Sequence, residues 1–299
     1  MQQILISGSR GLVGSELSRH LQQAGHQVTP LVRNQSQDGV LWNPSNGEVD
    51  LEGLEQADVV VHLAGESIAE GRWSAEKKRR IVDSRVEGTE LLCRSLAKLQ
   101  SPPKVLISAS AIGYYGNRGD EGCDESSSPG EGFLAETSIA WEEATRPAVE
   151  CGIRVVNFRI GIVLSPDGGA LGKMLLPFRL GLGGKLGPGT QYLSWISLRD
   201  LVRAIEFCIQ DESLRGPVNG VAPNPATNAE FTRALGTVLR RPTMLPVPAF
   251  ALRTIMGEMA DQMLLAGACV FPKVLEQAGF KFLDPELIDA LKHELGQTA

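Results

Sequence analysis

A glycine stands at every third position just past the first apolar run of this chain: Gly8, Gly11 and Gly14 follow Ile4-Leu5-Ile6-Ser7. The run has strand character, and Leu17 and Leu21 place an amphipathic helix directly behind the glycines. A strand that turns into a helix through such residues bends sharply and lets its backbone approach a pyrophosphate. The helix then presents free N–H groups and a partial positive charge to the phosphates. The spacing alone is weak evidence; the strand-turn-helix context is what the mechanism demands. The turn therefore assigns Gly8, Arg10, Gly11, Leu12, Val13 and Gly14 to a bound dinucleotide.

The first half of the chain alternates strand-like and helix-like stretches. Strands are expected at 3–7, 27–33, 40–42, 58–64, 104–110 and 153–159, and helices at 12–24, 74–99 and 132–151. Asp58-Val59-Val60-Val61-His62-Leu63-Ala64 is a continuous apolar run, as in a parallel strand buried on both faces. Repeated strand-helix-strand units imply right-handed crossovers and a Rossmann-type, doubly wound parallel α/β sheet. The second half breaks this pattern. Segment 165–192 is rich in glycine and leucine, and 199–210, 228–240, 249–265 and 285–295 read as helical. The organisation implied is a dinucleotide-binding domain over 1–164, rejoined by part of 190–225. A smaller C-terminal α/β lobe over 165–299 would sit at the carboxyl ends of the strands, where ligands bind in such sheets.

A net charge of −6 argues against a nucleic-acid partner. No apolar run reaches the roughly 18 residues of a membrane span, and no charged leader precedes the first strand. The five cysteines form no C-x-x-C pair, which fits a reduced, cytoplasmic setting. The partner expected is a small-molecule substrate.

Where the second strand ends, an NAD site would carry an acidic residue for the ribose 2′-OH. Arg33 stands there instead, and a guanidinium pairs well with a 2′-phosphate, so the residues favour NADP. The competing reading of Arg33 is a solvated loop charge. Leu63-Ala64-Gly65 offers small residues where the adenosine side would pass, or a glycine that merely ends a strand. Gly168-Gly169-Ala170-Leu171-Gly172-Lys173 is one residue short of a phosphate loop, and Met174 replaces its Ser/Thr. The histidines are too dispersed for a metal site. His62, inside an apolar run, reads as a hydrogen-bonded core residue.

Three strings taken together resemble the extended short-chain dehydrogenase/reductases: the glycine turn, Val59-Val60-Val61-His62-Leu63-Ala64-Gly65, and Ser108-Ala109-Ser110-Ala111-Ile112-Gly113-Tyr114-Tyr115-Gly116. Within them the chain is most similar to the nucleoside-diphosphate-sugar epimerase-like branch. That branch carries segments resembling Met174–Gly184, Trp195-Ile196 with Asp200, and Asn219-Gly220-Val221-Ala222-Pro223.

The resemblance implies that Ser110 positions a substrate hydroxyl and that Ser108, Arg85 and Val163 contact the cofactor. An exposed helix charge is the other reading of Arg85. The resemblance also implies a Tyr-x-x-x-Lys proton relay at the start of the next helix. Phe133 and Thr137 fill those places, with neither a proton to give nor a charge. Tyr114 is the substitute acid, with Lys173 or Arg179 as its cation, or it is a wall residue. Gly181–Gly189 with Lys185, Gln191 and Trp195 would shape the substrate pocket, or its glycines are loop punctuation; the long helices 74–99 and 132–151 would form a homodimer contact. Two functions follow: an NADP-dependent oxidoreductase or epimerase acting on a small carbonyl or nucleotide-sugar-like compound, or a non-catalytic NADP-binding sensor or scaffold.

Overall fold

The computed structural model describes residues 1–297. The first half runs β1 (Gln3–Ser7), α1 (Leu12–Gln23), β2 (Gln27–Val32), β3 (Val40–Asn43), β4 (Glu48–Val49), α2 (Leu51–Leu54), β5 (Val59–His62), α3 (Ala75–Leu96) and β6 (Val105–Ala111). A 3₁₀ turn over Ile112–Tyr115 follows, then β7 (Gly122–Cys123), α4 (Phe133–Glu143), α5 (Arg146–Glu150), β8 (Arg154–Ile160) and β9 (Ile162–Leu164). The second half runs α6 (Gly169–Arg179), β10 (Tyr192–Leu193), β11 (Trp195–Ser197), α7 (Leu198–Gln210), β12 (Gly216–Gly220), β13 (Ala226–Thr227), α8 (Asn228–Leu239) and α9 (Ala249–Met256). A π-helical turn over Ala260–Leu264, β14 (Cys269–Val270), α10 (Lys273–Gln277) and α11 (Leu287–Glu294) complete it.

The main sheet has eight strands in the order β12-β8-β6-β5-β1-β2-β3-β4. Its pairings are parallel except β3 with β4. The chain reverses direction across the sheet between β1 and β5, which creates the crevice where ligands bind in this architecture. Alternation along each strand explains the two-sided burial. Ile4, Ile6, Val59, Val61, Val105 and Ile107 face α1 and α7, with Leu17, Leu21 and Ile205. Leu5, Val60 and Leu106 face the other side, with Leu92, Leu96 and Trp42.

Two sequence expectations need correction. The helix expected over 132–151 is two helices, because Pro147 lies in the first turn of α5 and lacks the N–H an unbroken helix would use. The segment 273–282, expected in the second lobe, packs on the main sheet: Leu275 and Phe280 belong to the core on the α1 and α7 side. Strand β12 also joins the main sheet, beside β8. A third core, with Leu171, Phe178, Trp195, Phe231 and Leu291, holds the smaller lobe. Among the described residues no helix is long and apolar enough to cross a membrane, and no cluster of His, Cys, Asp and Glu could hold a metal ion.

The lobe is fastened to the sheet at the N-terminus of α7. Glu294 of α11 accepts the Leu198 N–H at 3.0 Å, and Ser197 donates to Asp284 at 2.7 Å. Burial, with the Asp284 charge adding to it, pushes the Glu294 carboxyl up to about 7. A carboxyl raised on folding stabilises the fold below its unfolded value near 4.5, and that contribution is lost as pH rises through about 7. Glu294→Gln keeps an acceptor for Leu198 and removes the titration. The variant should match the parent near pH 4.5 and exceed it at pH 8 by on the order of 2 kcal/mol in urea denaturation. Equal stability at both pH values would contradict this.

Candidate dinucleotide and substrate site

The glycine turn leaves no room for a Cβ at Gly8 or Gly14. Gly8 has φ +69°, and a Cβ there would lie 2.9 Å from the Leu63 carbonyl carbon. A Cβ on Gly14 would overlap the Gly8 carbonyl oxygen. Gly11 donates its N–H to Gly8 at 2.9 Å, which closes the turn. Helix α1 begins at Leu12 with no side-chain cap, so its first N–H groups remain free for an anion. Arg10 and Arg33 are both exposed beside this turn. Among the described residues neither has a hydrogen-bond or ion-pair partner. A pyrophosphate-bearing dinucleotide with a further phosphate fits these features.

The second wall of the cleft hangs on a buried chain of hydrogen bonds. Leu63 and Ala64 donate their N–H groups to Ser7 Oγ at 3.0 and 3.1 Å. With both lone pairs taken, the Ser7 hydroxyl donates to His62 Nδ1 at 2.7 Å. The imidazole then carries its hydrogen on Nε2 and donates to Thr89 Oγ1 at 3.0 Å. Trp141 Nε1 donates to the same hydroxyl at 2.9 Å. Burial pushes His62 down to about 4, so the ring stays neutral. His62 therefore positions the Leu63-Ala64-Gly65 loop and the Trp141 indole; it is a core residue, as the sequence indicates. A neutral polar residue inside an apolar strand was the signal for it; Ser7, Thr89 and Trp141 gave none.

A cavity of ≈560 Å³ opens between the sheet and the smaller lobe. Arg85 of α3, Ala111 at the end of β6 with Ile112 and Gly113, Leu134, Thr137, Ser138 and Trp141 of α4, and Ile162 of β9 form one side. Tyr192, Leu193, Met263 and Leu265 form the other. Arg85 is half-buried, not an exposed helix charge. Its Nη1 donates to the Glu66 and Ile81 carbonyls at 3.0 and 3.2 Å, and its guanidinium lies 5.0 Å from the Trp141 ring centroid. Burial lowers it to about 10, with the Glu66 charge opposing.

The structure separates the other candidates from the cavity. Ser108 is fully buried in β6, and Val163 lies in β9 beside the lining Ile162. Ser110 is buried and donates to Glu142 at 2.7 Å. Glu142 is held bidentately by Arg159 at 2.7 and 2.8 Å, and Arg159 also donates to the Tyr115 hydroxyl at 2.9 Å. The phenol of Tyr115 donates to Asn219 at 2.7 Å, and burial pushes it up to about 12.

The Tyr114 ring is the platform under Arg159, 3.5 Å from ring centroid to guanidinium carbon, and it does not line the cavity. The 3₁₀ turn aims it elsewhere, so its cation is Arg159 and not Lys173, whose ammonium donates to Ala69. A charged residue in the apolar string Val155-Val156-Asn157-Phe158-Arg159 was a sequence signal for a buried partner, and it was missed.

Of the two relay places, Thr137 lines the cavity and Phe133 does not. Phe133 packs on Trp73 with Lys78 over its ring, outside the cavity. Leu134 and Ser138, one turn apart, face Gly113 and line the cavity. This pair too has no phenol and no ammonium. The Ser138 and Thr137 hydroxyls donate to the helix carbonyls of Leu134 and Phe133 at 2.9 and 2.6 Å. The Gly181–Gly189 stretch does not shape the pocket. It runs against 242–247: Val247 donates to the Lys185 carbonyl at 2.9 Å, and Gly187 to that of Val247 at 2.8 Å. Gln191 is tied to the Leu186 and Leu264 carbonyls, and Trp195 to that of Asn224.

Sheet order, glycine turn and cleft define a dinucleotide-binding protein of the extended short-chain dehydrogenase type. The model of the NAD dependent epimerase/dehydratase family matches residues 4–219, and this chain belongs to that family. A domain of unknown function, DUF1731, matches residues 247–294. "Epimerase family protein Mb2239" of Mycobacterium bovis is 47% identical over 290 residues, covering 96% of each chain. The crystal structure of human epimerase family protein SDR39U1 (isoform 2), solved with NADPH, superposes with a TM-score of 0.91 at 34% identity, covering 99% of this chain and 100% of that one. A nucleoside-diphosphate sugar epimerase from Corynebacterium glutamicum gives 0.81 at 37% identity; it is longer, with 58% of its chain covered.

The hydrogen-bond chain through His62 generates a clear expectation. His62→Ala leaves the Ser7 and Thr89 hydroxyls without their buried partner and opens a void beside Trp42. It should cost about 2–4 kcal/mol in urea denaturation. A loss below about 0.5 kcal/mol would mean that the chain is not what holds the loop.

Proposed function

We propose that this chain is an NADP(H)-binding oxidoreductase that acts on a small carbonyl compound in the cavity between the sheet and the smaller lobe. The observation that carries the reading is the pair Arg10 and Arg33, exposed and without partners among the described residues, beside an uncapped helix and a glycine turn. An acidic residue would serve a ribose 2′-OH there; guanidinium groups serve a 2′-phosphate. The NADPH present in the structure of the human relative supports the choice.

When bound, NADPH supplies a hydride for a carbonyl carbon, and the carbonyl oxygen takes a proton to give the alcohol and NADP⁺. The residues of this chain orient the partners and exclude bulk water. The main-chain turn and the two arginines hold the phosphates, the Ser7-anchored loop passes under the adenosine side, and Trp141 and Leu134 form an apolar wall. Ser110 is committed to Glu142 and Tyr114 lies outside the cavity, so neither supplies the proton; Tyr192 is the phenol that lines the cavity. The absence of a phenol and an ammonium from the cavity face of α4 favours a second reading, a sensor that binds NADPH without turnover. NADPH fluorescence decay over a panel of carbonyl compounds and nucleotide sugars separates the two. Tight binding with no turnover of any compound supports the sensor.

Arg33→Ala should weaken NADPH binding at least about tenfold while NADH binding changes little, measured by fluorescence titration. Equal losses for both nucleotides would remove Arg33 from the 2′-phosphate.

A further inference from the structure

We infer that the smaller lobe docks on an anionic membrane surface. The docking face is made by the end of α6, the loop 181–187, the segment 242–248 and the start of α9. It lies on the outside of the lobe and does not depend on how the cavity is used. Three observations carry the inference.

Apolar side chains project from this face. Leu176, Leu180, Leu182, Met244, Leu245 and Phe250 are all exposed, Met244 at 83% and Phe250 at 72%. The segments that carry them are neighbours. The loop 181–187 runs against 242–247 through the paired main chains of Lys185, Gly187 and Val247. A Cβ on Gly181 would lie 3.7 Å from Pro242, and one on Gly187 would lie 3.6 Å from Ala249 at the start of α9. Large apolar side chains gathered in water mark an interaction surface.

The charge on this face has one sign. No Asp or Glu occurs from residue 168 to 199 or from 231 to 257, in a chain of net charge −6. Arg179 precedes Leu180, Lys185 lies in the loop, and Arg240 and Arg241 lead into Pro242; all four are exposed. Among the described residues none of the four forms an ion pair. Glu258 and Asp261, past the far end of α9, are paired with Lys78 and Arg253. Cations interleaved with exposed apolar side chains match the headgroups and acyl chains of an anionic bilayer interface. A second copy of this face would set cations against cations, which disfavours a symmetric dimer here.

The main chain of the face is largely closed on itself. Gly181 and Leu182 donate to the Phe178 and Pro177 carbonyls at 2.9 Å, Val247 to that of Lys185 at 2.9 Å, and Gly187 to that of Val247 at 2.8 Å. Pro242, Pro246 and Pro248 have no N–H to satisfy. Backbone paired in this way enters a low-dielectric interface at less cost than an open loop. A protein partner supplies hydrogen bonds of its own and acyl chains do not, so the closure favours lipid over an acidic protein.

Co-sedimentation of the full chain with vesicles tests this. Vesicles of phosphatidylcholine are compared with vesicles of equal parts phosphatidylcholine and phosphatidylglycerol, at low and at high salt. Partition onto the anionic vesicles should be at least about tenfold stronger, and it should weaken at high salt. Met244→Ser with Phe250→Ser should lower it at least about tenfold, and so should Arg240→Glu with Arg241→Glu. Lys98→Glu with Lys104→Glu makes the same change in net charge outside this face and should leave partition nearly unaltered. Thermal unfolding checks that each variant is folded.

Equal partition on both kinds of vesicle, or binding to neither, would overturn the inference. So would equal losses in the Arg240, Arg241 pair and the Lys98, Lys104 pair, because net charge alone would then act. Undiminished binding with Met244→Ser and Phe250→Ser would leave a contact of charge only, as an acidic protein makes, and would overturn it too. A dimer in sedimentation velocity that those two serines dissociate would give the face to a second copy instead.

Discussion

Three stretches of backbone meet at the carboxyl ends of β1 and β5, closer than any side chain would permit. Gly14 of α1 presses on the Gly8 carbonyl, and Gly8 presses on Leu63 and Ala64. This contact fixes the angle at which α1 leaves the sheet and so aims its free N–H groups. It also sets how far the Leu63-Ala64-Gly65 loop stands from the turn. The Ser7 hydroxyl, last in β1, ties that loop through its two N–H groups and passes its own hydrogen to His62. A single hydroxyl thereby couples the phosphate turn to Thr89 and Trp141, and hence to the stacked face of Arg85. Cofactor cleft and cavity share one buried scaffold.

The chain distributes its buried charge in two ways. Arg159 and Glu142 neutralise one another with bidentate geometry, and Ser110, Tyr114 and Tyr115 are recruited around them. That group is a structural knot behind the cavity wall, in which the Arg159 guanidinium and the Ser110 and Tyr115 hydroxyls all have acceptors. Arg85 is the opposite case, a cation in the wall with carbonyl oxygens as its only acceptors among the described residues. A low-dielectric site makes the first arrangement rigid.

Legibility in the sequence followed the range of the interaction. The glycine turn, the strand-helix alternation and the isolated polar His62 are local signals, with causes lying within a few residues. Of the two α4 residues expected at the cavity, Thr137 lines it and Phe133 does not. Helix phase depends on where Gly132 ends the preceding loop and on the packing of Phe133 against Trp73, sixty residues earlier in the chain. Pro147 is the local mark of the break in the expected helix, and it was not used. The loop 181–189 looked like a pocket wall because its glycines are silent about what they pack on.

The sequence by itself determined that a parallel sheet would carry a phosphate-binding turn at its first crossover and an arginine at the end of its second strand, because periodicity, steric freedom at glycine and the fixed charge of a guanidinium are properties of residues. Tertiary structure alone decided which polar groups were spent on one another and which were left to meet a ligand. Pairing depends on distances between residues as far apart as Ser7 and Leu63, Glu142 and Arg159, or Arg85 and Trp141. Only the packed chain sets those distances, and burial then gives each pairing its energy.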